Sequence, residues 1–259
     1  MEIRDQVGRS ITISKPITRI VSLVPSQTEL LVDMGLEHQI LGVTKFCVHP
    51  ESLRFEKTVV GGTKQVHYDK IKALRPGIIL CNKEENTKEM VESLEKIAPV
   101  WVSDIKTIDD CLEMIAAFGE LFDKAQRATE ISNDLKMEMK SFQEFIKEKP
   151  IVKVGYLIWK NPWMAAGSST FINTLLNINH FENSIAKREE RYPEVSIKEL
   201  KTADLIMLSS EPYPFKKKHL RELQQLLNNK KILLVDGEYF SWYGSRLIKA
   251  FSYFRTLHH

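Results

Sequence analysis

The chain of 259 residues sets 37 Lys and Arg against 34 Asp and Glu, a formal charge of +3, with 43% hydrophobic and 27% charged residues. This composition belongs to a globular protein with a sizeable core, and it excludes both a disordered chain and the concentrated basic field of a nucleic-acid binder. No run of about 18 apolar residues occurs, so no membrane-spanning helix is predicted and any membrane association is peripheral.

The first twenty residues lack the basic start, apolar stretch and small-residue cleavage site of a secretory signal, which leaves a cytoplasmic location open. Within them, Glu2 to Asp5 and Ser10 to Ile13 predict a hairpin around Gly8. Arg19 to Val24 is an apolar strand. It leads into Ser26, and Glu29 three residues on completes a predicted capping box for a helix that Gly35 ends. Strands are then expected at Ile40 to Thr44, Thr58 to Val60, Ile78 to Cys81 and Val100 to Ser103, with helices near 69–75 and 84–97. Alternation of this kind predicts a parallel sheet, and such sheets place ligands beyond the carboxyl ends of their strands.

From Ile108 to Lys149 apolar residues recur at helical spacing with no strong turn signal, which predicts a helical connector, weakest near 122–124. Pro150 stops it. A second α/β series follows: a strand at Ile151 to Trp159, helices at Thr170 to Leu176 and Ser196 to Lys201, a strand at Leu205 to Leu208, a helix at Lys217 to Leu227 and a strand at Ile232 to Val235. The predicted organisation is therefore a lobe over 1–107, a connector over 108–149 and a second lobe over 150–259.

Motifs for dinucleotide, P-loop, serine-hydrolase and zincin chemistry are missing from the sequence, and the histidines show no metal-ligand spacing. Cys47, Cys81 and Cys111 are odd in number and far apart, which points to buried thiols rather than a disulfide framework. Aromatic residues in predicted loops stand out instead: Phe46 near His49, Trp159 and Trp163 around Asn161-Pro162, Tyr192, Tyr213, and the run from Tyr239 to Tyr243. Tyr and Trp offer rigid faces with a polar edge, suited to a broad, flat, partly apolar ligand. Core packing is the competing reading, favoured for Phe240 and equally weighted for Trp159. Gly167 to Thr170 reads either as an anion site at a helix start or as a plain N-cap. Arg191 and Arg246 read as anion grips or as salt-bridge partners. Lys216, Lys217, Lys218 and Arg221 read as a solvated helix face.

Four segments, RIVSLVPSQTELLVDMGL (19–36), VVGGTKQVHYDKIKALRPGIILCN (59–82), NPWMAAGSSTFINTLL (161–176) and SSEPYPFKKKH (209–219), resemble the helical-backbone substrate-binding proteins of ABC importers for cobalamin, haem and ferric siderophores. The resemblance spans almost the whole chain. It implies the class III binding-protein fold, two Rossmann-like α/β lobes joined by a single long helix, in a monomer. A metal chelate, haem-like molecule or corrinoid is then expected between the lobes, held without covalent chemistry. The implied ligand-binding residues are Phe46, His49, Thr63, Lys64, Asn82, Trp159, Trp163, Met164, Arg191, Tyr192, Tyr213, Tyr239 and Trp242. Asp69 and Glu199 are implied to dock on an ABC permease dimer, although Ser196 and Glu199 also form a capping box. A periplasmic or cell-surface location is implied as well. The alternatives are a cytoplasmic cofactor-binding or sensing protein and a small α/β enzyme, for which His49, His67 and Glu238 are the titratable candidates but form no triad.

Overall fold

A computed structural model describes residues 1–188 and 190–258. In chain order, β1 (Glu2–Arg4) and β2 (Ser10–Thr12) form the expected hairpin, followed by β3 (Ile20–Ser22), α1 (Pro25–Asp33), β4 (Ile40–Val43), α2 (Leu53–Glu56), β5 (Thr58–Val59), α3 (Tyr68–Ala73), β6 (Ile78–Asn82), α4 (Lys88–Leu94) and β7 (Val100–Ser103). Then come α5 (Ile108–Leu121), α6 (Ala125–Ile146), β8 (Val152–Trp159), β9 (Met164–Ala165), α7 (Phe171–Ile178), β10 (Phe181–Asn183) and α8 (Ile197–Leu200). The chain ends with β11 (Leu205–Ser209), α9 (Lys217–Leu226), β12 (Lys231–Val235), α10 (Glu238–Ser241) and α11 (Arg246–Arg255).

These elements divide into two compact units. The first comprises Met1–Ile105, Asp109–Lys136 and Tyr243–Leu247, and the second comprises Lys106–Ile108, Met137–Trp242 and the segment from Ile248 on. The connector stretch is two helices rather than one, parted at 122–124, where Asp123 takes φ of 55°.

The first unit is built on a five-stranded sheet of order β5-β4-β3-β6-β7, parallel throughout. Its central strands β3 and β6 are buried at every residue. Sheets covered on both faces need such unbroken apolar runs, which is why the sequence shows little alternation there. Val21, Ile79, Cys81 and Val102 from the strands, with Leu23 just after β3, meet Ile71 of α3 and Met90, Val91 and Leu94 of α4 in one core. Each fully buried aliphatic side chain of this kind contributes about 1.5–3 kcal/mol of transfer free energy.

The second unit has the order β10-β8-β11-β12, again parallel, with β9 added antiparallel to β8. Leu157, Ile206, Leu208 and Ile232 of its strands pack with Leu200 of α8, Leu223 of α9 and Phe215.

The start of α1 differs from the expectation. Val24, not Ser26, is the N-cap residue, and no side chain caps the helix. Pro25 occupies the first turn, where its fixed φ and missing N–H suit the position, and so moves the helix start upstream. Glu29 is thereby released from any capping role and takes another partner.

Candidate functional site

In the first unit the predicted residues cluster where β4, β5 and β6 end, because parallel strands deliver their following loops to one edge. Phe46 is 48% exposed and lies over the backbone of Gly62, where an added Cβ would sit 3.2 Å from its Cε2. The Lys45 Nζ stands 5.0 Å from the Phe46 ring centroid. Next to this ring, the Thr63 carbonyl accepts from Asn86 Nδ2 at 2.7 Å, and Lys64 Nζ donates to the Glu84 carbonyl at 2.6 Å. His49 is partly buried in the same loop, just before Pro50. Phe46, Thr63 and Lys64 are thus brought together.

Asn82, at the end of β6, is engaged within the unit. It is 3% exposed. Its amide donates to the Ser103 Oγ and carbonyl at 3.0 and 3.3 Å, and its Oδ1 accepts from the backbone of Glu84 and Glu85. A side chain so engaged shapes the loop that follows β6.

Behind these loops lies a buried polar network closed by the segment Tyr243–Leu247. Gln27 Nε2 donates to Ser103 Oγ at 2.5 Å and to the Tyr243 hydroxyl at 3.2 Å. The Gly244 N–H donates to Cys111 Sγ at 3.1 Å. Arg246 grips Glu29 bidentately, Nε to Oε2 at 2.7 Å and Nη2 to Oε1 at 3.0 Å, with both side chains 7% exposed. The salt-bridge reading of Arg246 therefore holds. Burial pushes the Cys111 thiol up to about 12 and raises the Tyr243 phenol, so neither ionises at neutral pH. All three cysteines are buried and unpaired as disulfides, and the Cys81 and Cys47 thiols are likewise raised by burial.

In the second unit the aromatic residues assemble into a continuous run. Trp159, 40% exposed at the end of β8, meets Tyr213 edge-on at 5.5 Å. Tyr213 contacts Phe215 at 4.8 Å, and Phe215 stacks on Trp163 at 6.0 Å with only 4° between planes. His219 backs Tyr213 and caps α9 by accepting from the Lys216 N–H at 3.0 Å. Burial, helped by Lys218 and Lys160, lowers its pKa, so the ring stays neutral and structural. Lys160 lies 5.7 Å over the Trp163 ring and pairs with Glu222.

A second predicted group is drawn together by main-chain pairing along β9. Val195 N–H donates to the Trp163 carbonyl at 2.8 Å, Ala165 to Pro193 at 3.1 Å, and Gly167 to Arg191 at 2.7 Å. These bonds place Trp163 and Met164 alongside Arg191 and Tyr192, both partly buried. Only glycine fits at 167, since a Cβ would come 2.3 Å from the Glu190 carbonyl oxygen. The following helix start is a plain N-cap: Thr170 Oγ1 accepts from Asn173 N–H at 3.2 Å.

Tyr239 and Trp242 come from α10 and its end. Tyr239 is partly exposed and stacks on Tyr253 at 4.8 Å. Trp242 is 7% exposed and donates its indole N–H to Glu211 Oε1 at 2.9 Å, so its ring belongs to the packing rather than to an open wall. Ser241 Oγ donates to the same oxygen at 2.5 Å. The sequence reading missed Glu211, although the residue follows β11 directly at the carboxyl-end position that α/β sheets reserve for function.

The two docking candidates differ. Asp69 is exposed in the first turn of α3, where a carboxylate is favoured by the helix dipole. Glu199 is committed within its own unit. Its Oε2 accepts from the Ser196 N–H at 2.9 Å and hydroxyl at 2.7 Å, and Arg188 Nη2 donates to Oε1 at 2.6 Å. The Ser196 backbone bond, then its hydroxyl, then Arg188, hold the Glu199 carboxyl at about 2. Among the described residues no group of three or more His, Cys, Asp and Glu side chains is arranged to hold a metal ion, and no helix is long and apolar enough to cross a membrane.

Comparison with known proteins matches residues 20–230 to a family described as periplasmic binding protein. An uncharacterized ABC transporter substrate-binding lipoprotein of Bacillus subtilis is 27% identical over 195 residues, 71% of this chain but only 60% of the relative's length. A vitamin B12-binding protein of Vibrio parahaemolyticus is 23% identical over 191 residues, 73% of this chain and 69% of that one. Among solved structures, the periplasmic vitamin B12-binding protein of Vibrio cholerae superimposes with a TM-score of 0.79 at 18% identity, covering 93% of this chain and 96% of that chain. A periplasmic heme-binding protein of Pseudomonas aeruginosa gives a TM-score of 0.83 at 20% identity, covering 93% and 92%. At such identities the structural likeness shows the α/β fold alone, with which two units are consistent.

Proposed function

This chain belongs to the periplasmic binding protein family, and we propose that it captures a metal chelate, of the ferric siderophore, cobalamin or haem-like class, and hands it to an ABC permease dimer. The observation that carries this reading is the aromatic run of the second unit, in which Trp159, partly exposed at the carboxyl end of β8, packs on Tyr213, which in turn contacts Phe215 and, through it, Trp163. Rings already ordered by one another lose little entropy on binding, which suits them to a large, flat, weakly polar chelate. Relatives named for vitamin B12 and heme support that ligand class.

Binding in this proposal is reversible and without catalysis. Buried thiols with raised pKa values and a neutral, capping His219 leave these groups ill suited to attack a ligand. Phe46, Lys64 and Thr63 of the first unit, and Met164, Arg191, Tyr192 and Tyr239 of the second, are the further proposed contacts. The lobe at 1–107, connector at 108–149 and lobe at 150–259 remain the proposed functional division, in a monomer. Asp69 is the proposed permease contact, and the substrate-binding lipoprotein of Bacillus subtilis supports a location at the cell surface or in the periplasm.

Native mass spectrometry of the full chain incubated separately with cyanocobalamin, haemin and a ferric catecholate siderophore tests the reading. A single chelate retained per folded chain is expected for one of the three. Folded protein that retains none of them would overturn it, and conversion of a retained chelate into a new product would replace it with an enzymatic one.

A further inference from the structure

Between Pro212 and Val235 the second unit carries Lys216, Lys217, Lys218, Arg221, Lys230 and Lys231 against a single acid, Glu222, although the whole chain sets 37 Lys and Arg against 34 Asp and Glu. Helix α9 presents most of this charge. Its Leu223 and, just past the helix, Leu227 pack into the core of the unit, and His219 is buried as well. At about 3.6 residues per turn, Lys217, Lys218, Arg221 and Gln225 then fall on the opposite side. All four are exposed, as is Lys216 at the N-cap position.

Helix stability does not account for these cations. The first turn of α9 holds no acidic residue, and Lys217 and Lys218 stand there at the positive end of the helix dipole, where cations are unfavourable. Both lie one turn before Arg221, a spacing at which like charges repel. Glu222, one turn after Lys218, pairs instead with Lys160, which follows β8. The acid on this face is thereby neutralised, and among the described residues Lys216, Lys217, Lys218 and Arg221 form no ion pair. Leu226 closes the helix 49% exposed, which adds an apolar side chain at the edge of the same face.

We propose that the exposed face of α9 is a docking surface for an anionic phospholipid bilayer. Long cationic side chains spread over one helix face suit a diffuse layer of negative headgroups, whereas a single partner carboxylate is recognised by donors held in fixed geometry. Cations with an exposed leucine at their margin are also the composition of helices that rest in the headgroup region. The attraction is electrostatic, so the contact is reversible and screened by salt. That it keeps the chain on the bilayer holding its permease rests on the proposed function, whereas the lipid contact itself does not.

The test is co-sedimentation of the full chain, without added chelate, with vesicles of phosphatidylcholine alone or with about 30% phosphatidylglycerol. The wild type should partition onto the anionic vesicles at least about tenfold more strongly than onto the neutral ones, and raising salt from about 50 to about 500 mM should release it. Lys217→Gln, Lys218→Gln and Arg221→Gln combined should weaken partitioning by about tenfold or more. Removing the same charge from the exposed Lys136, Lys140 and Lys147, each changed to Gln, should weaken it by less than about threefold. The substituted side chains of α9 hold no ion pair, so the first variant should unfold in urea at the wild-type midpoint or above it. Equal partitioning onto both vesicle types, or an equal loss in the two triple variants, overturns the proposal. Retention on immobilised polyglutamate without vesicle binding also overturns it and assigns the face to an acidic polypeptide.

Discussion

The carboxyl ends of the two parallel sheets are finished in opposite ways. In the first unit they are closed by polar groups: Asn82 and Gln27 both donate to the Ser103 hydroxyl, Gln27 also donates to Tyr243, and Arg246 neutralises Glu29. In the second they are closed by rings, from the half-exposed Trp159 through Tyr213 and Phe215 to Trp163. Polar networks buried at this depth fix one geometry because every alternative strands a donor or a charge. Stacked rings tolerate small slips and still present apolar surface. The first unit thus holds one fixed polar arrangement with Phe46 exposed beside it, and the second carries rings packed on one another with Trp159 partly exposed.

The largest test of this contrast is Glu29→Ala. Removing the buried carboxylate that Arg246 grips should cost about 3–5 kcal/mol in urea unfolding, and Glu29→Leu combined with Arg246→Met should recover most of it. A cost under about 1 kcal/mol would mean that the pair does not hold the Tyr243–Leu247 segment. Within the ring series, Phe215→Ala should cost about 3–5 kcal/mol, whereas Trp159→Ala should cost less than about 1 kcal/mol, because much of its ring already faces solvent. Equal costs would make Trp159 a core residue.

The capping box comes next. Ser196→Ala should cost about 1 kcal/mol. Glu199 has its pKa depressed by folding, so its stabilisation is present above the ordinary carboxylate range and is lost as pH falls toward about 2. Acid titration of stability should therefore be shallower over that range in Glu199→Gln than in the wild type. The smallest expected stability effect belongs to Asp69→Asn, within about 0.5 kcal/mol. That variant should bind ligand normally yet deliver it poorly to the permease in reconstituted vesicles, and normal delivery would remove Asp69 from the docking surface.

Much of this was readable in the sequence where a signal is local. Buried parallel strands announce themselves as unbroken apolar runs, as in Ile78 to Cys81 and Leu205 to Leu208, and of the singled-out aromatic residues Trp159 and Tyr213 do meet, with Trp163 joined to them through Phe215. Non-local causes were invisible. Strand β10 has three residues, and its identity comes from pairing with β8 rather than from its own sequence. The spacing of Ser26 and Glu29 looked like a capping box, yet Pro25 reset the helix start and an arginine 217 positions away claimed the carboxylate. Asn82 and Trp242 have the chemistry of binding residues, but whether such groups face a ligand or the protein depends on partners, Ser103 and Glu211, that no spacing rule connects. Helix α11 keeps Leu247, Ala250, Phe251 and Phe254 at helical spacing, a signal that was present and that the aromatic run before it obscured.

The central claim is that a metal chelate binds against the partly exposed Trp159 of the second unit. Tryptophan fluorescence titration of the full chain with cyanocobalamin, haemin and a ferric catecholate siderophore, in the wild type and in Trp159→Ala, addresses it most directly. The account predicts saturable quenching by one of these in the wild type and an affinity lower by about fivefold or more in the variant, which remains folded. Saturable binding of equal affinity in both proteins, or quenching by none of the three, would contradict it.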